Sequence, residues 1–181
     1  AIDDVVLELL TMTDRLTVAM LSGNVGAGGC YLAFAADLVW AHAGVVLNPH
    51  YKNMGNLYGS EYWSYTLPRR VGPARAAEVT QRVMQGRLPM SAAEAASLGL
   101  VDAVLSDDAA SLPPRAATEA AVLAAAHNHA ERIAAKQRQR DEDESRKPLA
   151  AYRDEELQQM YRNFYGFDPS YHVARHHFVT R

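Results

Sequence analysis

Three features predict an α/β fold: an apolar, strand-like run at 16–23 that ends among glycines, a second such run at 100–105 after a short helix, and helical patterning beyond residue 105. The first element reads as a helix, because Ile2, Val5, Val6, Leu9 and Leu10 recur at helical spacing and Asp3 and Asp4 suit its first turn. The strand at 16–23 then breaks into a glycine turn that opens a buried helix, and residues 45–72 form a loop rich in reactive side chains leading to another helix. Pro73 is placed to begin a helix whose face includes Ala76, Ala77, Val79, Thr80 and Val83. Ser91 and Glu94 make the S-x-x-E signature of a capping box, and Gly99 ends that helix before the LVDAVL strand. The turn-rich connector at 106–114 leads into an alanine-rich helix from about Arg115 to Arg140, a break between Ser145 and Pro148, and a helix from Leu149 to Phe164. Two regions follow from this pattern, a core at 1–105 and a helical region at 106–181.

Composition narrows the function. A chain of 181 residues with 49% hydrophobic content can bury a substantial core. A net charge of −3 gives no general attraction to nucleic acid or anionic lipid, and the run RIAAKQRQRDEDESRK at 132–147 balances its acids and bases without interleaved aromatics. It reads as a solvated helix end. Cys30, the single cysteine, excludes an internal disulfide and fits a reducing cytosol; within CYLAFAA it is expected to be a buried, inert thiol. The acidic start AIDDVVLELL does not resemble a signal peptide, and no apolar run approaches the roughly 20 residues of a membrane helix. A cytoplasmic chain without a membrane partner is therefore expected. His172 and His176 are spaced for one helical face but lack the further ligands of known zinc motifs, so no metal is expected.

The glycine turn carries the chemistry. Gly26, Gly28 and Gly29 allow backbone amides to approach a ligand, and the first turn of the following helix leaves N–H groups without intrahelical acceptors. Such amides make an anion or oxyanion site, although the same glycines also serve tight strand–helix packing. The turn is not a P-loop, since no Lys-Ser/Thr follows, nor a dinucleotide fingerprint, since Tyr31 stands where a third glycine belongs.

Five ordered blocks, LTVAMLSG (16–23), GAGGCYL (26–32), AADLVWA (35–41), TLPRRVG (66–72) and MSAAEAASLGLVDAVL (90–105), resemble the crotonase (enoyl-CoA hydratase/isomerase) superfamily. The resemblance implies a crotonase-like βα superhelix, here lacking the N-terminal units, with C-terminal helices, and it places the family's oxyanion amide on Gly28. It also implies departures. Tyr31 and His50 occupy the positions of the hydratase carboxylates, and neither can act as that pair. Glu61, Tyr62 and Trp63 replace the small residues that leave room for an acyl chain, so Tyr31, His50, Tyr62 and Trp63 are expected to line a small acyl pocket.

Two further stretches, NPHYKNMGNLYGSEYW at 48–63 and NFYGFDPSYHVARHHFV at 163–179, resemble the crotonase-like half of the HypX (HoxX) family of hydrogenase maturation proteins. That resemblance implies a reaction in which formyl-CoA is split into carbon monoxide and CoA for the centre of nickel–iron hydrogenase, the formyl group coming from formyltetrahydrofolate in an N-terminal part outside this chain. The chain is then a C-terminal portion, inactive alone, with an acyl-CoA substrate and the hydrogenase or its maturation factors as partners. Within it Glu61 is the expected base, Tyr51 the proton donor to sulfur and Gly28 N–H half of the oxyanion site. An inward-pointing Lys52 would lower the pKa of Tyr51. A generic acyl-CoA hydratase or isomerase and a non-catalytic binding module are the alternatives. The tail's Phe164, Tyr165, Phe167, Tyr171 and Phe178 are expected to dock near residues 51–63, with His172, Arg175, His176 and His177 partly exposed.

Overall fold

Short parallel strands alternating with helices build the core in a computed structural model that describes residues 1–85, 89–106 and 110–180, without the side chains of Lys52, Gln85 and Ser106. The expectations for Lys52 and for residues 107–109 of the connector therefore fall outside the described residues. After α1 (Ile2–Thr11), strand β1 (Val18–Leu21) leads to β2 (Val25–Gly26) and the seven-residue α2 (Gly28–Phe34). Strands β3 (Leu38–His42) and β4 (Val46–Asn48) precede a 3-10 turn at Lys52–Met54, then α3 (Trp63–Val71) and α4 (Pro73–Gln85). Strand β5 (Met90–Ser91), α5 (Ala92–Ser97) and β6 (Ala103–Ser106) complete the alternation.

Two three-stranded sheets result. One runs β1-β3-β6, all parallel, with Met20 opposite Trp40 and Trp40 opposite Ala103. The other runs β2-β4-β5, parallel between β2 and β4 and antiparallel between β4 and β5. Parallel strands need both faces covered, which explains the continuous apolar runs. The main cluster joins Val39, Ala41 and Leu47 from the strands to Cys30, Tyr31 and Phe34 of α2 and to Leu67, Val79 and Val83 of α3 and α4. Ser91 caps α5 by accepting the Glu94 N–H at 3.2 Å, and Gly99 takes φ +82 just past its end, as the sequence predicts. The Glu94 carboxylate, however, pairs with Arg82 on α4 rather than closing a reciprocal box.

Four helices follow: α6 (Leu112–Ala125), α7 (His129–Arg146), α8 (Leu149–Tyr165) and α9 (Ser170–Val179). The single helix expected from Arg115 to Arg140 is thus two. It breaks at Ala126, which is extended (ψ 138), just before the His-Asn-His segment, whose residues are poor helix formers. The run at 132–147 is not wholly solvated either. Lys136 and Arg140, four residues apart on α7, share its inner face and are buried to about nine-tenths, and Asp143 also turns inward, accepting the Tyr65 hydroxyl at 2.9 Å. No helix among the described residues is long and apolar enough to cross a membrane.

The tail docks where expected but buries less. Asn163 Oδ1 accepts the Tyr58 N–H at 2.8 Å, Met160 and Phe164 pack on the main cluster, and Tyr171 meets Phe164 edge-on at 4.8 Å. His172, Arg175, His176 and His177 are exposed. So are Tyr165, Phe167 and Phe178, against the expectation that all five aromatics dock: Tyr165 and Phe178 stand on helix faces turned from the core, and Phe167 lies in the turn between α8 and α9.

The join between the regions is electrostatic as well as apolar. Glu156 of α8, 1% exposed, accepts the Tyr62 N–H and the Ser64 N–H at 2.8 Å each and the Ser64 hydroxyl at 2.5 Å, so α8 caps the start of α3. Asp3 of α1, also buried, accepts the Glu61 N–H at 3.0 Å. The Asp3 carboxylate was expected to serve its own helix; instead it bonds to the turn beside α3. Burial pushes the Glu156 carboxyl up to about 7, outweighing the donors that favour its charged form. A folded-state pKa above the ordinary value means that the folded protein holds a proton the unfolded chain releases. Stability in urea should therefore fall as pH rises from about 5 through about 7 and level off above, a slope that Glu156→Gln reduces while the raised Glu61 carboxyl keeps the remainder, and Glu156→Ala should cost roughly 2–4 kcal/mol by orphaning the amides. Tryptic cleavage at Arg162 should be slow in the native chain, and Phe164→Ala with Tyr171→Ala should accelerate it roughly tenfold or more by releasing α9.

Candidate active site

The site forms where the glycine turn meets the loop before α3. Gly28 is the first residue of α2, so its N–H has no intrahelical acceptor, and the preceding Ala27 is held at φ 47, ψ −126 with its own N–H bonded to Asn48 O at 2.9 Å. The turn is thereby anchored to β4. A methyl group on Gly28 would lie 2.7 Å from Tyr51 Oη and 2.9 Å from Glu61 Oε1. Those contacts are shorter than a carbon and an oxygen tolerate, so the absence of a side chain at Gly28 makes room for both groups.

Tyr51 and Glu61 are themselves bonded. The phenol donates to Glu61 Oε2 at 2.7 Å, the Ser60 N–H donates to the same oxygen at 3.1 Å, and Oε1 is the carboxylate oxygen nearest Gly28. Both residues are buried, at 8% and 6% exposure. Burial raises the Glu61 pKa above the ordinary carboxylate value, opposed by the bonds from Tyr51 and Ser60; burial and the adjoining carboxylate raise that of Tyr51, keeping the phenol protonated at neutral pH. Gly59 takes φ +84 and carries no Cβ, which lets the Tyr51 ring lie directly against its backbone.

Glu61 and Tyr62 are consecutive L-residues in the left-handed region, at φ 61 and φ 56. Each costs roughly 1–2 kcal/mol there, and the turn is held by Asp3 and Glu156, which accept its amides. Sequence reading missed both acids in this role. Asp3 is far away in the chain, and Glu156 sits among other acids of an ordinary helix, so no local pattern marks them.

Aromatic rings enclose the pair. Tyr31, fully buried, lies 6.0 Å from the Tyr51 ring and 6.3 Å from Trp63, and its hydroxyl donates to Pro49 O at 2.5 Å. His50 is buried beside Tyr51. Tyr62 departs from expectation: its ring packs with Val6, Tyr65 and Leu149 in the second cluster, because the two left-handed residues send the Glu61 and Tyr62 side chains apart. Tyr62 is a packing residue between α1, α3 and α8. Cys30 is wholly buried, its thiol pushed up to about 12 by burial, which makes it inert.

Known proteins resemble this chain at several levels. It is 54% identical to the hydrogenase maturation factor HoxX of Bradyrhizobium diazoefficiens, over all of the chain and 31% of that protein. A crystal structure of HypX from Aquifex aeolicus in complex with tetrahydrofolic acid superimposes with a TM-score of 0.89 at 46% identity, over 98% of this chain and 31% of that one. Methylmalonyl CoA decarboxylase, at 14% identity and a TM-score of 0.73 over 98% of this chain and 65% of its own, shares the fold alone. The chain thus spans about a third of the length of its maturation-factor relatives. Its strand and helix order, its crotonase-like fold and the match of residues 3–168 to the family's sequence model establish that the chain belongs to the enoyl-CoA hydratase/isomerase family.

Proposed function

We propose that this chain forms part of the decarbonylating region of a hydrogenase maturation enzyme, which splits formyl-CoA into carbon monoxide and CoA. The observation that carries the reading is the Tyr51–Glu61 hydrogen bond set directly over Gly28. A buried carboxylate, a protonated phenol and a free amide are the three groups the reaction needs, and no hydratase-type carboxylate pair competes with them at Tyr31 and His50. The likeness to the hydrogenase maturation factor HoxX supports a maturation role, and we assign the product to the nickel–iron centre of the hydrogenase. Tetrahydrofolate, bound in the HypX structure, fits a formyl donor used elsewhere in the longer polypeptide.

The steps balance within the pair. The formyl-CoA carbonyl oxygen accepts the Gly28 N–H, and Glu61 takes the formyl proton as the bond from carbon to sulfur breaks and carbon monoxide leaves. The departing thiolate takes the proton of Tyr51. The proton on Glu61 then passes along the 2.7 Å hydrogen bond to the phenolate, which restores both groups. The net change is transfer of one proton from carbon to sulfur. Tyr31 and Trp63 stand beside the pair, and on this reading they limit the acyl group to a formyl or at most an acetyl group.

In the full-length polypeptide, carbon monoxide release from formyl-CoA should fall roughly a hundredfold or more for Glu61→Gln and for Tyr51→Phe, with CoA affinity little changed. Near-normal turnover in both variants would return the pair to a structural role, and turnover of crotonyl-CoA would favour a generic hydratase. Because Glu61 works ionised and Tyr51 protonated, the rate should rise with pH through the raised Glu61 pKa and hold its plateau beyond neutrality. Gly28→Ala should abolish turnover while circular dichroism stays native, since its methyl group would force Tyr51 and Glu61 aside.

A further inference from the structure

A polar cavity of about 180 Å³ lies at the opposite end of α2 from Gly28, roughly 9 Å along that helix by its rise per residue. Its walls include Phe34 and Ala36 at the end of α2, Thr66 and Arg70 of α3, and Lys136 and Arg140 of α7. The cations are not in simple excess. Lys136 pairs with Asp37 at 2.7 Å, Arg140 Nη2 with Glu144 at 2.5 Å, and Arg69, which also borders the cavity, with Asp143 at 3.1 Å, while Arg70 pairs with Asp102.

What remains is a set of donors. Arg140 Nη1, Arg70 Nε and the Thr66 hydroxyl are buried and have no hydrogen-bond partner among the described residues. The two guanidinium groups are fixed by other contacts: Arg140 lies over the Tyr65 ring at 4.9 Å, and Arg70 donates to Ala36 O at 3.0 Å. They cannot turn to water without breaking these. Such groups are rare in folded proteins, and two guanidinium N–H groups and a hydroxyl bordering one cavity, which Asp37 and Asp102 also line, are the donor types that bind an oxyanion. Burial also holds the Arg70 guanidinium below its ordinary pKa, the mark of a cation whose compensation is incomplete.

We propose that this cavity binds a phosphate-sized oxyanion through Arg140 Nη1, Arg70 Nε and the Thr66 hydroxyl, at a site separate from Gly28, Tyr51 and Glu61. The bound group bridges α3 and α7, joining the crotonase-like core to the C-terminal helices. Because each cation already has a carboxylate neighbour, recognition comes from directed donors more than from net charge, and a compact tetrahedral anion is favoured over chloride.

Calorimetric titration of the full-length polypeptide with inorganic phosphate, at ionic strength held constant with sodium chloride, should show one saturable site on this chain. Arg140→Met, which keeps apolar contact with Tyr65, should weaken binding roughly tenfold or more, and Thr66→Val, which leaves every charge in place, should weaken it severalfold with the native circular dichroism retained. Two results would overturn the proposal: no saturable heat beyond the chloride control, or phosphate binding unchanged in both variants. Competition against CoA and its 3′-dephospho form identifies the natural source. Displacement of phosphate by CoA alone assigns the site to a coenzyme phosphate ester, and displacement by neither assigns it to the free anion. Loss of phosphate binding should leave decarbonylation by the Tyr51–Glu61 pair measurable, so the two readings fail separately.

Discussion

Two carboxylates brought from distant helices hold a strained turn, and the candidate site depends on them. Glu61 and Tyr62 sit in a conformation that L-residues disfavour, and they stay there because Asp3 and Glu156 take up the amides of Glu61, Tyr62 and Ser64. Burying an acid such as Glu156 is itself unfavourable, and three donors and the positive end of α3 offset that cost only in part. The outcome is a turn that directs Glu61 toward Gly28 and Tyr62 away from it. A relaxed turn would not separate them in this way.

Much of this fold is written in local pattern. The Ser91 cap, the Gly99 stop and the Pro73 start are decided by chemistry within a few residues, and each appears where the pattern places it. The strands are legible because parallel sheets require continuous apolar runs. The convergence of Gly28, Tyr51 and Glu61 was legible only through family resemblance, since nothing in their spacing shows that residues 28 and 61 meet. Resemblance also erred once, for Tyr62, because backbone handedness at two successive residues is not encoded in a motif. Helix breaks and charge runs misled for a related reason: the alanine-rich stretch is interrupted by three weak formers, and Lys136 and Arg140 turn inward only because α7 finds the acids and rings of the core.

The enclosure of the site has a chemical logic. Tyr51 and Glu61 share a proton-carrying contact inside a wall of aromatic rings, where low polarity strengthens the hydrogen bond and shifts both groups toward their protonated forms. The two groups are joined directly, the phenol donating to the carboxylate at 2.7 Å with no other group between them. Gly28 supplies a fixed amide next to it, and the missing Cβ sets the spacing between amide and carboxylate.

The bond from Glu156 to the Tyr62 amide spans 94 positions of the chain. Contacts of such separation form late, because a long loop must close before they yield anything. On a ribosome the strands, the glycine turn and α3 emerge well before α8, so the core can assemble while the turn that aims Glu61 is still slack. The turn then takes the shape that directs Glu61 toward Gly28 only when the C-terminal helices have been made and have docked.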